Sequence, residues 1–199
     1  MAKVYFKLHT VYFLGIMIFT TSTTDKELAE IIALQKKNLP ANLTVAEMQE
    51  QGFVTVVHSL DDLKKMNQFE QHLVIKDNYT VVGYLLAMTK KSEFDIPVLS
   101  PMFEVFDKVS YQNKLLAAYN FIVVGQVCID KEYRGKGLLN ESYQAYKKTF
   151  SSKYDFAITE IATANQRSLN AHKTVGFREV HQFTDINQIE WSIVLWDWR

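Results

Sequence analysis

The stretch from Phe121 to Phe150 constrains this chain more than any other. Its first nine residues, FIVVGQVCI, form an almost unbroken apolar run. A run of that length and composition reads as the buried centre of a sheet. It passes through a charged turn into Arg134-Gly135-Lys136-Gly137 and then directly into a segment whose Leu139, Tyr143, Tyr146 and Phe150 share one helical face. Buried strand, glycine-bearing turn and helix together describe an anion site. The glycines let the backbone turn sharply and approach a ligand. The free N–H groups of the first helical turn point at that ligand, and the helix dipole favours negative charge there. Arg134 and Lys136 add two positive charges, so a pyrophosphate is the natural guest. Neither G-x-x-x-x-G-K-[ST] nor G-x-G-x-x-G is present. On these residues alone, a solvated turn between strand and helix stays open.

Composition narrows the setting. At 199 residues the chain is long enough for one domain with a sizeable core. Lys+Arg and Asp+Glu balance at 22 each, which argues against a nucleic-acid binder working by bulk charge. Cys128 is the one cysteine, so a disulfide framework and a Cys-based zinc site are excluded, and a reducing, cytoplasmic setting fits. His58, His72 and His181 lack metal-ligand spacing, so no metal is expected. Val11 to Phe19 is apolar for nine residues, too short to span a bilayer, and the TTSTT after it offers no A-x-A cleavage pattern. It reads as a buried first strand stopping at Thr20, with no membrane partner. Residues 1–16 are read as an extension ahead of a single domain over 17–199.

The rest of the chain alternates strands and helices. Thr24 to Glu27 offers caps for a helix through Lys37, Thr44 to Glu47 is a capping box for a short helix ending before Gly52, and Ser59 opens another. Phe53 to His58 (FVTVVH) is strand-like. Leu73 to Ile75 and Thr80 to Met88 flank Asp77-Asn78 as a hairpin, and Pro101 starts a short helix. In the second half, strands at 121–129 and 154–161 alternate with helices at 137–150 and 165–175, the last stopped by Gly176. Two β-rich segments, 177–183 and 190–198, end the chain. This is a single mixed α/β domain.

A second motif turns the anion loop into a family resemblance. An Arg-x-x-Gly loop after a hydrophobic strand resembles the acyl-coenzyme A motif of the GNAT N-acetyltransferase superfamily. About 30 residues on, Asn165 to Phe177 (NQRSLNAHKTVGF) resembles that superfamily's Asn-x-x-Ala/Ser-(x)7-Gly-Phe segment. The resemblance implies an α+β fold with a mixed, mostly antiparallel central sheet, splayed central strands and flanking helices. It implies acetyl-coenzyme A as cosubstrate and an N-acetyltransferase. By resemblance, Val127, Cys128 and Ile129 supply backbone contacts to the pantetheine arm. Arg134, Gly135, Lys136, Gly137, Leu138, Leu139 and Asn140 wrap the pyrophosphate, Asn165 holds the pantetheine, and Ser168 lies alongside. One position departs from the pattern: Leu139 stands where the superfamily has Gly or Ala, so its side chain must turn away from the phosphates.

Proton transfer points to two residues. Transfer to an amine needs a base, and Glu160 stands at the end of the strand before Asn165, where related N-terminal acetylases carry a catalytic glutamate. A solvent-facing strand-end carboxylate is the alternative. His172 stands where the superfamily has a tyrosine that protonates the leaving thiolate; a partly buried helix histidine is the alternative. Cys128 lies inside an apolar run and reads as a packing residue rather than a nucleophile. The activity implied is direct acetyl transfer in a ternary complex to a small-molecule or peptide amine. Glu93, Asp95, Glu104 and Asp107 are acidic residues that could meet such a cation. A non-catalytic acyl-coenzyme A binder on the same scaffold is the rival reading. A homodimer through the last strands is left open by any exposed edge.

Overall fold

The computed structural model describes residues 17–96 and 99–199, the side chains of 94 and 95 excepted. A seven-stranded sheet organises the chain. In order across the sheet it runs β1 (Met17–Thr21), β2 (Leu73–Asp77), β3 (Thr80–Met88), β6 (Phe121–Ile129), β7 (Phe156–Ala162), β9 (Glu190–Asp197) and β8 (Arg178–Thr184). All neighbours pair antiparallel except β6 and β7, which are parallel. A separate hairpin, β4 (Ser110–Tyr111) and β5 (Lys114–Leu115), carries no signal in the sequence pattern.

Local chemistry sets the helix starts. Thr24, Thr44 and Ser59 each accept from the backbone N–H three residues on, while Glu27, Glu47 and Asp62 answer as reciprocal partners, opening α1 (Asp25–Lys37), α2 (Val45–Gln51) and α3 (Leu60–Phe69). Two further short helices follow, α4 (Ser92–Asp95) and α5 (Ser100–Phe106), the latter with its proline in the first turn. The long helices of the second half are α6 (Leu138–Phe150) and α7 (Gln166–Val175). Helices α1, α3 and α5 cover one face of the sheet, packing on Val74, Tyr84, Leu86, Val123, Phe156 and Ile158. Helices α6 and α7 cover the other, on Leu85, Ala87, Ile122, Val124, Ala157 and Ile161.

The central pair is where the sheet opens. β6 and β7 are in register only at Phe121–Phe156, Ile122–Ala157 and Val123–Ile158. Beyond that point they diverge, so the expected splay is present. Two devices accompany it. The register of β6 on β3 slips at Gly125–Gln126, where Leu85 faces Val127 but Ala87 faces Val124, which gives β6 one extra residue. And Thr159 donates its hydroxyl to the Val124 carbonyl at 2.8 Å, a side chain standing in for the lost ladder bond. The bulge also reverses side-chain parity. Val123 faces α5, whereas Cys128 past the bulge joins the core under α1.

Two expectations are corrected. β1 is a half-buried edge strand rather than a buried one, with Ile18 exposed, and it runs to Thr21; residues 11–16 of the expected strand lie outside the described residues. Phe53 to His58 forms no strand. Its backbone is held by side-chain amides instead: Gln35 bonds both the N–H and the C=O of His58, Gln126 donates to Val56 O at 2.8 Å, and Asn165 donates to Phe53 O at 3.2 Å. Its aromatic and β-branched residues gave the segment a strand-like composition, but its backbone groups are met by side chains rather than by a neighbouring strand.

Candidate active site

A cleft of about 440 Å³ lies at the open end of β6. Val127, Cys128 and Ile129 form its floor, the turn into α6 one wall, α7 a second, and residues 51–54 a third. Twelve of the residues singled out from the sequence line it: Val127, Cys128, Ile129, Arg134, Gly135, Gly137, Leu138, Leu139, Asn140, Asn165, Ser168 and His172. Lys136 and Glu160 do not.

The turn is built as an anion cradle. Gly135 and Gly137 take φ of +72° and +81°, the left-handed region open to glycine. A Cβ at Gly135 would meet nothing within 4 Å, and one at Gly137 only the Glu141 carboxylate at 3.9 Å. Backbone conformation rather than crowding therefore requires both glycines, which leaves the loop open. Gly137 is the N-cap of α6 and no side chain caps that end, so the first N–H groups of the helix face the cleft mouth unpartnered by the helix itself. Leu139 is half-buried; it lines the cleft and also packs against the clusters that hold Leu73 and Ile75.

Arg134 is more tightly engaged than its charge alone suggests. Its Nε donates to Ile129 O at 2.8 Å, Nη2 to Asn38 Oδ1 at 2.5 Å and Nη1 to Gln51 Oε1 at 3.3 Å. The guanidinium thus ties the end of β6 to α1 and α2 while keeping its charge beside the loop. Lys136 points elsewhere, its Nζ 5.1 Å from the centre of the Tyr133 ring. The sequence reading missed Arg167, which stands in the first turn of α7 and brings a further cation to the rim. It also missed Asn38, Gln51 and Phe53. These come from elements more than 70 residues before the loop, and no local pattern announces them.

Asn165 holds the corner between walls. Its Oδ1 accepts from Ser168 N at 3.1 Å as the N-cap of α7, while its Nδ2 donates to Phe53 O. His172 is buried, and that burial lowers its pKa to about 4. Its Nδ1 lies 2.8 Å from Ser168 O, which can only accept, so Nδ1 carries the hydrogen and Nε2 accepts from Tyr143 Oη at 2.6 Å. A neutral ring with both nitrogens engaged does not suit the thiolate-protonating role expected of it. Cys128 is buried as well, and burial pushes its thiol up to about 12, which holds it protonated.

Glu160 lies on β7 two residues past the last pair with β6, following Phe156 and Ile158 on the face covered by α1, α3 and α5. It is not the solvent-facing strand-end carboxylate of the alternative reading. Burial first, and the charge of Asp185 second, raise its pKa to about 7, and its Oε2 is buried with no hydrogen-bond partner. A carboxylate half-protonated near neutrality, beside the opening between two strands, has the chemistry of a general base. Among the described residues no group of three or more His, Cys, Asp or Glu could hold a metal ion, and no helix is long and apolar enough to cross a membrane.

A parallel pair that splays beside a strand–loop–helix anion cradle defines a class of acyl-transfer domain. The sequence matches the acetyltransferase (GNAT) family over residues 37–177, and the chain belongs to that family. Solved structures share the fold at low identity. One is a GNAT-family acetyltransferase from Streptococcus agalactiae, 14% identical with a TM-score of 0.62, where the match covers 92% of this chain and 96% of that one. Another is the NatC complex bound to Gag peptide and CoA, with 14% identity, a TM-score of 0.61 and coverage of 92% and 99%. A third is NAA60 of Arabidopsis thaliana in complex with acetyl-CoA, with 11% identity, a TM-score of 0.57 and coverage of 92% and 99%. No curated protein sequence matches the chain.

Proposed function

We propose that this enzyme transfers an acetyl group from acetyl-coenzyme A directly to an amine acceptor, small molecule or peptide, with Glu160 as the base. The observation that carries this reading is the splay of β6 from β7 after Val123 and Ile158. It leaves the cleft and the anion cradle at the opening, and it leaves Glu160 on the sheet face opposite α6 and α7.

The residues present suit the cosubstrate. The uncapped N–H groups of Leu138, Leu139 and Asn140, with Arg134 and Arg167 nearby, would hold the pyrophosphate. Val127 to Ile129, no longer paired with β7, offer backbone groups to an amide-bearing arm, and Asn165 and Ser168 stand across from them. Bound there, acetyl-coenzyme A supplies the acyl group as a thioester. Glu160 would take a proton from the acceptor's ammonium, freeing the nitrogen lone pair to attack the thioester carbonyl. The C–S bond would then break, and the departing thiolate would leave as the thiol with the proton that the newly acylated nitrogen gives up. His172 acts here as a positioning residue. Through Tyr143 and Ser168 it ties α6 to α7 and so fixes the two walls of the cleft.

The test is calorimetric titration with acetyl-coenzyme A, free coenzyme A and ATP, followed by thiol release against a panel of amines. Saturable binding of both coenzyme A forms but not ATP, with thiol release that depends on the amine, is the expected result. Binding without release for any amine would favour a non-catalytic acyl-coenzyme A binder. No binding would overturn the reading.

A further inference from the structure

Gly125 and Glu160 each stand two residues past Val123 and Ile158, the last registered pair of β6 and β7. They therefore flank the gap where the strands part. On the function proposed above, the cosubstrate runs along β6 from the turn at Arg134–Gly137, past Ile129, to Val127. Its acyl end then points toward Gly125, while the acceptor amine stands at Glu160. The spacing of the two strands at this point sets how the nitrogen approaches the thioester carbon.

The neighbours of Gly125 are held by hydrogen bonds. Val124 O accepts from the Thr159 hydroxyl at 2.8 Å, and the Gln126 amide donates to Val56 O at 2.8 Å and accepts from Tyr84 Oη at 2.5 Å. Gly125 has no side chain for such a bond, and Met88 of β3 packs on it instead. A Cβ at Gly125 would overlap Met88 Sδ and stand 2.7 Å from its Cε and 2.9 Å from its Cγ, well inside van der Waals contact. The φ of Gly125 lies outside the left-handed region, so crowding rather than conformation requires glycine here, the reverse of Gly135 and Gly137. Met88 is buried in the cluster that holds Val123 and Ile158, on the sheet face that also carries Glu160. A displaced thioether would have to push into that packed core.

We infer, resting on the acetyl-transfer reading, that Met88 is a positioning residue: packed on Gly125, it fixes the spacing between β6 and Glu160 at which the acceptor nitrogen meets the thioester. Met88 itself reaches neither substrate and acts through the Gly125 backbone. An unbranched, adaptable thioether suits the space over a glycine. A misplacement of about 1 Å at a reacting centre can cost about 10²-fold in rate. The anion cradle lies beyond the end of β6, so cofactor binding should feel little of such a shift.

A two-residue cycle tests this, read by amine-dependent thiol release, calorimetry with coenzyme A and thermal melts. Gly125→Ala should lower kcat about tenfold or more, with KM for acetyl-coenzyme A and coenzyme A affinity within about twofold of the parent. Met88→Ala should lower kcat about fivefold or more with the same split. The double variant puts a methyl group into the space the thioether leaves, so it should turn over faster than Gly125→Ala alone. If Met88 merely fills the core, Met88→Ala will lower the melting temperature and leave kcat of the folded protein at the parent value, which overturns the proposal. Parent turnover in Gly125→Ala overturns it too, as does a double variant no faster than Gly125→Ala or a loss confined to coenzyme A affinity. An active parent with unimpaired variants removes the positioning role alone, whereas a parent that releases no thiol with any amine removes the acetyl-transfer reading and this role with it. Should one single variant fail to fold, the other decides by the same split of kcat against KM.

Discussion

The two ends of the β6–β7 pair are built on different principles. At the closed end three residue pairs are in register, and Phe121 stacks on Phe156 with ring centres 5.7 Å apart, inside a cluster that also takes in Phe106, Tyr111 and Tyr119. At the open end backbone pairing stops and polar side chains replace it: Thr159 on Val124 O, Gln126 on Val56 O, Asn165 on Phe53 O and Arg134 on Ile129 O. Packing holds the closed end and hydrogen bonds hold the open one. The lesson is that a sheet can be opened for a ligand where side-chain donors take over from the ladder, provided the strands stay welded below.

That contrast can be broken at either end. The largest effect on stability should come from Phe156→Ala, which removes a fully buried ring from the weld. A loss of about 3–5 kcal/mol is expected, or roughly 10 °C or more in melting temperature. Cofactor affinity of the folded fraction should change little; a loss under 1 kcal/mol would show that the aromatic cluster is not what holds the strands together.

At the open end the largest effect should be on turnover. Glu160→Gln should lower the rate by about 10²-fold or more with coenzyme A affinity unchanged. In the parent, activity should rise with pH through about 7 as the buried carboxylate loses its proton. An unaltered rate, or a pH profile without that rise, would remove Glu160 from the chemistry.

Arg134→Ala should weaken coenzyme A roughly tenfold and also cost about 1–3 kcal/mol of stability, because Ile129 O, Asn38 Oδ1 and Gln51 Oε1 lose a donor together. Calorimetry and thermal melts read the two losses separately. A change in affinity alone would make Arg134 a simple charge at the loop.

Three buried histidines give the fold a pH dependence. His58, His72 and His172 are all lowered to about 4 by burial, against 6.5 when free. As pH falls below 6.5 the unfolded chain takes up these protons first, so stability is lost from pH 6.5 down to about 4. Glu160, raised to about 7, works in the opposite sense and costs stability as pH rises from 4.5 to 7. Neither ring nitrogen of His58 has a partner. His58→Met should therefore raise stability by roughly 2 kcal/mol at pH 5 relative to pH 8, as urea melts at the two values would show. The smallest effect should be that of Thr159→Val, about 1 kcal/mol, from the lost bond to Val124 O. A null result there would mean that the splay needs no hydroxyl at its branch point.

Much of this molecule was legible in the chain because it is locally encoded. Capping residues, the Asn78 turn between β2 and β3, the apolar run of β6 and the glycines before α6 each act within a few residues of themselves. So does the Asn165 cap of α7, and twelve of the residues singled out do line the cleft. What the tertiary structure alone decided depends on neighbours distant in sequence. The bulge falls at Gly125–Gln126, where the apolar run of β6 is broken, but its effect on parity needed the sheet: past it Cys128 lies under α1 rather than on the side that uninterrupted alternation would give it. The FVTVVH segment has a strand-like composition, yet its backbone groups are met by the side chains of Gln35, Gln126 and Asn165. Arg134 finds Asn38 and Gln51, His172 finds Tyr143, and Glu160 is raised to about 7 only because the fold takes water away from it. Propensity and spacing are properties of a segment, whereas burial and partnership belong to the assembled chain.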